Sequence, residues 1–196
     1  MEPLPRSFYH RDTLEVAQDL LGCILVREYE GRLLTGRITE TEAYIGRCDK
    51  ACHAYNYKRT KRTQTLFLRP GTAYLYLIYG MYTCLNFVTE PEGEPAAVLI
   101  RGIEPLEGVE TMSRLRFGRD LSDLTAYQRK HFCNGPGKVC KVLDLDRSLD
   151  GHDLLTPPLY VLPRQGEVGG IHSGPRIGVD YAQEAKDFPW RFWVEA

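Results

Sequence analysis

Arg37-Ile38-Thr39-Glu40-Thr41-Glu42-Ala43-Tyr44 is the stretch on which the reading of this chain turns. A β-strand sends successive side chains to opposite faces. Leu34, Ile38, Glu40, Glu42 and Tyr44 then share one face, with Gly36 between them. Leu33, Thr35, Arg37, Thr39, Thr41 and Ala43 take the other. A face that begins apolar and ends Glu-x-Glu-x-Tyr turns carboxylates toward the interior or into a cleft. Taking an ionised carboxylate out of water is unfavourable unless it is paired or has chemistry to perform. The plainer alternative is a strand end with one solvated and one salt-bridged Glu.

Around this strand, Asp12 predicts a helix cap, with the helix running to about Leu21 and stopped by Gly22. Ile24–Tyr29, a turn at Glu30-Gly31, and Arg32–Tyr44 read as a β-hairpin. Residues 45–71 hold many cations and little periodicity, the mark of a long functional loop with short helical pieces. Thr72–Val88 is strand-like and Gly80 divides it into two strands. Ala96–Ile103 reads as a buried strand. Glu104 to about Arg116 reads as a helix with Leu106, Val109, Met112 and Leu115 inward. A second helix is expected over about Thr125–Cys133, and a short one after Asn134-Gly135-Pro136-Gly137. Short strands are expected at Leu159–Leu162, Arg176–Val179 and Arg191–Val194. The fold class is mixed α/β (α+β): one domain over residues 1–196, with a curved, mainly antiparallel sheet flanked by helices.

The 196 residues are 43% apolar, enough for a substantial core, with a net charge of −1. No basic start followed by an apolar run suggests a secretory signal. The longest apolar run, Ala73–Leu85, is too short to span a bilayer. Reduced thiols in a cytosolic protein are therefore expected for the six cysteines. Charge is unevenly spread. Residues 58–62 read Lys-Arg-Thr-Lys-Arg, and Thr111–Lys141 holds seven Lys/Arg against two Asp. Such clusters suit phosphates, although a solvated helix face has the same composition. Cys48, Cys52 and His53, with Cys133 and Cys140, offer an alternative as a zinc-dependent nucleic-acid module.

Tyr74-Leu75-Tyr76-Leu77-Ile78-Tyr79-Gly80-Met81-Tyr82 is the second informative block. Tyr74, Tyr76 and Ile78 share a face, while Tyr79-Gly80-Met81 falls at the turn. Large apolar groups on a turn need a receiver, and a DNA base stack is one. A core role for all the tyrosines is the alternative. Asn86 and Arg101 are polar residues in apolar runs, and a buried Arg is either ion-paired or in contact with a ligand. Rings, a carboxylate and polar groups able to read a base edge together suit a pocket for a flipped base.

These residues resemble the alkyladenine DNA glycosylases, the 3-methyladenine DNA glycosylases of the mammalian type. The resemblance covers essentially the whole chain. It is carried by Gly36–Tyr44, Ala51-Cys52-His53, Arg69–Tyr82, Leu85-Asn86, Arg101–Gly108 and Gly135–Lys138. The stretch between Asn86 and Arg101 is slightly longer than in the family. The resemblance implies that Glu42 is the general base for the attacking water and that Arg101 helps hold that water and a phosphate. It places Tyr44 and Tyr76 on either side of the flipped base. His53 lines the pocket and donates to the nucleotide backbone, the backbone around Ala51 reads the base edge, and Asn86 excludes the exocyclic amine of guanine. Tyr79 becomes the wedge left in the duplex on a hairpin that inserts into DNA, Met81 its flank, and Lys138 a contact to the DNA backbone. The implied partner is double-stranded DNA with a damaged purine, bound by a monomer without a membrane, metal or cofactor. A hydrolase of free nucleosides using Glu40 with Glu42 is the remaining alternative.

Overall fold

The computed structural model describes residues 1–78 and 80–195. Asp12 caps the helix α2 (Thr13–Asp19) through its side chain, which accepts from Leu14 N at 2.9 Å and Glu15 N at 3.4 Å. A cap of this kind stabilises by about 1 kcal/mol. A one-turn helix α1 (Arg6–Tyr9) precedes it. The expected hairpin forms from β1 (Ile24–Tyr29) and β2 (Arg32–Ile45), paired from Ile24↔Arg37 to Tyr29↔Arg32. The second hairpin joins β3 (Ala73–Ile78) to β4 (Tyr82–Val88). Residues between β2 and β3 form the expected long loop, with short 3-10 turns at Tyr55–Tyr57 and Gln64–Phe67.

The next strand, β5, runs from Ala96 to Glu107, four residues past the expected strand end. The helix α3 begins only at Val109 and ends at Phe117. Two features explain the difference. Gly108 takes φ +74°, and a Cβ there would meet Leu33 O at 2.5 Å, so the chain breaks at this glycine. Pro105 is tolerated in the strand because β4 pairs only with Ala97–Leu99 and the bridge from Asn134 reaches only Gly102, leaving β5 around Pro105 paired with β2 alone. Leu106 is consequently exposed, not inward, while Met112 is fully buried as expected. Two further helices follow: α4 (Ala126–Lys130), with a capping box from Thr125 and Gln128, and α5 (Pro136–Val142).

The remaining strands are β6 (Leu159–Leu162), β7 (His172–Gly174) and β8 (Arg191–Trp193). Arg176–Val179 is not a strand; β7 lies just before it, where none was expected. The sheet order is β3-β4-β5-β2-β1-β6, with β8 joined to β2 and β7 to β8, and each of these pairings is antiparallel. The strand β2 is central. Its first half pairs with β1, and Glu40–Glu42 pair with β8.

The pairing of β2 with β5 shifts register between Ile38 and Glu40 and again between Glu40 and Thr41. This bulge overturns the simple alternation expected for β2. Leu34 and Ile38 lie in the main core, and so does Ala43, on the same side as Thr41, whose hydroxyl donates to Ala17 O. Glu40, Glu42 and Tyr44 are thereby turned to the opposite side from Ile38. A bulge commonly re-aims a side chain in this way beside a functional site.

The sheet thus has two different covers. Helices α2 and α5 pack on one side, where Val16, Ala17, Val139 and Val142 meet Leu75, Leu85, Val98 and Ile100. On the other side the long loop supplies Cys52, Ala54, Leu66 and Phe67 against Tyr74, Val88 and Ala97. Tyr44 and Tyr76 border this smaller cluster.

Candidate active site

A pocket of about 160 Å³ opens on the loop-covered side of the sheet. That is close to the ~150 Å³ of a cavity able to hold benzene. Its walls include Tyr44, Ala51, His53, Tyr74, Tyr76, Ile78, Asn86 and Leu99, with Glu42 and Arg101 among them. The expected catalytic and base-pocket residues therefore all converge on one cavity. Strand periodicity accounts for this: 74, 76 and 78, then 86, then 99 and 101 occupy the same side of β3, β4 and β5.

Glu42 is fully buried at the edge of this cavity. Its Oε2 accepts from the Tyr44 hydroxyl at 2.7 Å, and its Oε1 from the Ile177 backbone N–H at 2.8 Å. Arg101 Nε stands 3.5 Å from the same Oε1 and donates to Glu40 Oε1 at 3.0 Å. A carboxylate offers roughly four acceptor sites, so these contacts leave room for a water. Burial raises the Glu42 carboxyl above its ordinary range, against the opposing pull of Arg101, the Tyr44 hydroxyl and the Ile177 amide. Glu40 is turned to Arg101 and Arg191 and does not line the pocket. The two carboxylates do not face one cavity as a catalytic pair would.

His53 packs edge-on against Tyr76, with ring centroids 4.5 Å apart. Its Nδ1 is 3.2 Å from the Tyr74 hydroxyl and its Nε2 is 3.4 Å from an Arg62 nitrogen. A guanidinium only donates, so Nε2 is the acceptor and Nδ1 carries the proton toward Tyr74. Burial and the neighbouring Arg62 charge lower the His53 pKa to about 4, leaving the ring neutral at physiological pH. Both ring nitrogens are engaged in the free protein, so donation to a nucleotide backbone requires an exchange of partners. Arg62 also lies over the Tyr76 ring, 5.1 Å from its centroid. Asn86 Nδ2 donates to Tyr74 O at 3.2 Å, which fixes its amide inside the pocket.

Ala51 is held on both sides: its N–H donates to Asp49 Oδ1 at 2.9 Å, and its carbonyl accepts from the Tyr181 hydroxyl at 3.3 Å. Asp49 itself is bound by Arg176, with Nη2 to Oδ1 at 2.8 Å and both side chains fully buried. Arg176 also donates to Ala43 O and Ala185 O, and lies 4.6 Å from the Tyr44 ring centroid. The segment Arg176–Tyr181 therefore builds the back of the site, supplying the Ile177 N–H and the Gly178, Val179 and Tyr181 wall. Sequence reading missed this role. Its one available signal was an Arg beside glycines in a stretch with no surface pattern of its own.

Tyr79 lies outside the described residues. At the same hairpin end, Met81 is 65% exposed, and Leu77 and Tyr82 are also exposed, so an apolar tip faces solvent. Lys138 sits in the first turn of α5 and donates from Nζ to Asn134 Oδ1 at 2.7 Å. Its neighbour Gly137 packs on the Tyr82 ring, where a Cβ would come within 3.0 Å, and Pro136 reaches the pocket wall. Hairpin, α5 and pocket mouth thus share one rim.

The zinc set is not assembled. Cys48 is exposed, Cys52 is buried in the small cluster that the long loop builds on the sheet, and Cys133 and Cys140 lie in the helix-covered core. Among the described residues no three His, Cys, Asp or Glu side chains are grouped as metal ligands.

The methylpurine-DNA glycosylase family model matches residues 7–196. This chain belongs to that family. It is a DNA glycosylase of the 3-methyladenine type, an enzyme of DNA repair that processes alkylated bases. A relative from Clostridium perfringens (strain SM101 / Type A) is 51% identical over 195 residues, covering 98% of this chain and 95% of its own. One from Clostridium tetani is 51% identical over 193 residues, with the same coverage. One from Desulfitobacterium hafniense is 49% identical over 195 residues, covering 100% of this chain and 96% of its own. All three are provisionally named 3-methyladenine DNA glycosylases.

Proposed function

We infer that this glycosylase turns alkylated or deaminated purines out of duplex DNA into the aromatic pocket and hydrolyses the N-glycosidic bond with a water activated by Glu42. The candidate substrates are 3-methyladenine, 7-methylguanine, hypoxanthine and ethenoadenine. The observation that carries the reading is the fully buried Glu42, held by Tyr44 and Ile177 beside Arg101 at a cavity lined by tyrosines.

The chemistry follows from that geometry. Cleavage passes through a cation-like sugar, and a carboxylate next to the anomeric carbon can both take a proton from water and stabilise the positive charge. Arg101 keeps the buried acid available as an anion and offers donors to the water or an adjacent phosphate. Tyr44 and Tyr76 present ring faces to a base, and a positively charged alkylpurine gains cation–π attraction there. The second lone pair of Ala51 O is left to accept from a base edge, and the Asn86 amide, fixed in the pocket by Tyr74 O, is the proposed barrier to a guanine amino group. No lysine occurs among the described residues lining the pocket, which supports hydrolysis to an abasic site without a Schiff base or strand cleavage.

Extruding the base costs a few kcal/mol of lost stacking. Tyr79, with Met81 as its flank, is the proposed wedge that offsets this cost. Lys138 and the cations of residues 58–62, Arg62 among them, are suited to phosphates, so binding weakens as salt rises.

The test incubates wild type and Glu42→Gln with duplexes carrying hypoxanthine or ethenoadenine and with methylated DNA, and reveals abasic sites with alkali. Base release by wild type and its loss in the folded variant are expected. Release by Glu42→Gln at the wild-type rate would remove Glu42 from the chemistry.

A further inference from the structure

Glu40 is the first carboxylate of the Glu-x-Glu pair, and the chemistry above gives it no task. Its Oε1 accepts from Arg101 Nε at 3.0 Å and lies 3.7 Å from Arg191 Nε. The same Arg101 Nε is 3.5 Å from Glu42 Oε1. Charges therefore alternate along a short line: Arg191, Glu40, Arg101, Glu42. The β2 bulge turns both carboxylates to this side, and β8 locks the arrangement by pairing Glu40 with Trp193 and Glu42 with Arg191. Glu40 also packs over Gly102, the residue after Arg101, where a Cβ would approach Glu40 Cβ within 3.2 Å. The Arg101 side chain is only 12% exposed, so solvent screens this network weakly.

We propose that Glu40 is a positioning residue for base excision: it anchors Arg101 and takes the nearer share of its charge, so that Arg101 stands beside Glu42 without consuming it. The proposal rests on the assignment of Glu42 as the base. An Arg101 given wholly to Glu42 would occupy the acceptor sites a water needs and weaken the base. An Arg101 without Glu40 would lose the contact that fixes its Nε.

The charged and titratable groups around Glu42 define the direction of the effect. Arg101 approaches from β5, and Cys84 from β4. Tyr44 and Glu40 lie on Glu42's own strand, Arg176 faces it from the segment after β7, and Arg191 from β8. Neutralising Glu40 removes a like charge and leaves more of the Arg101 charge to Glu42. Both changes favour the ionised form of Glu42.

The experiment is single-turnover release of 7-methylguanine from methylated duplex DNA, measured from about pH 4.5 to about pH 8 for wild type, Glu40→Gln, Glu40→Asp and Glu42→Gln. Glu40→Gln keeps an acceptor for Arg101 but not the charge. Its acidic limb is expected to move to lower pH, raising the rate at about pH 5 relative to about pH 7.5 by roughly three-fold. Its plateau rate falls. Glu40→Asp keeps the wild-type limb. A purely structural Glu40 would change plateau and melting temperature together and leave the limb in place. A limb that stays, or moves to higher pH, in folded Glu40→Gln overturns the proposal. If Glu42→Gln still excises, the base assignment fails and the proposal with it. If Glu42→Gln is inactive and only the limb fails to move, the Glu40 proposal alone is lost.

Discussion

The two arginine sites near Tyr44 are built differently. Arg176 and Asp49 are fully buried, joined by two hydrogen bonds, and Arg176 spends further donors on the Ala43 and Ala185 carbonyls. Arg101 is shared between Glu40 at 3.0 Å and Glu42 at 3.5 Å, and lies at the pocket wall. The first site is closed; the second keeps acceptor capacity unspent on a carboxylate that burial holds above its ordinary range. Asp49 spends both oxygens on Arg176 and on the Ile45 and Ala51 N–H groups, which fixes conformation although Arg176 Nε has no acceptor among the described residues, whereas a carboxylate with unspent acceptor sites retains the ability to bind and activate a water.

The largest effects separate the two sites by what they lose. Glu42→Gln is expected to lower single-turnover excision on the order of 10⁴-fold. Its melting temperature stays unchanged or rises, because the variant no longer buries a charge. Asp49→Asn should do the reverse in kind. It strands Arg176 in the interior and destabilises by about 3–5 kcal/mol, a drop of roughly 10 °C in melting temperature. Pairing it with Arg176→Met restores part of that loss, which thermal melts of both variants will show.

A smaller effect concerns specificity at the pocket wall. Asn86→Ala removes the amide held by Tyr74 O and should raise excision of undamaged guanine, relative to hypoxanthine, by about ten-fold. Competition between the two bases in matched duplexes measures it.

A further effect is a pH dependence of stability. The unfolded His53 takes up its proton near pH 6.5, whereas the folded ring resists until about pH 4. The unfolded chain binds more protons in that interval, so the His53 contribution is full above about pH 6.5 and is lost as pH falls toward about 4. His53→Gln should flatten this part of the curve, a difference on the order of 2 kcal/mol at the acid end by urea melts.

Local patterns made much of this legible. Both hairpins, the Asp12 cap and the long loop follow from turn residues and from alternation within a few positions. The pocket residues on β3, β4 and β5 follow from alternation and the family motifs. The bulge at Glu40 left no trace in period two, yet it decides which side the acids face. The strand through Pro105 imitated a helix because Leu106, Val109, Met112 and Leu115 have helical spacing. The back of the site was hidden because Arg176 and Ile177 act on Asp49 and Glu42 across more than a hundred residues.

The pH dependence of 7-methylguanine release by wild type probes the central claim most directly. The leaving base already carries a positive charge and needs no acid, so the acidic limb reports the general base alone. A rate that falls with decreasing pH, with its midpoint above the ordinary carboxylate range, is expected for a Glu42 raised by burial and active only as the anion. A rate that stays level through the acid range while the protein remains folded would contradict it.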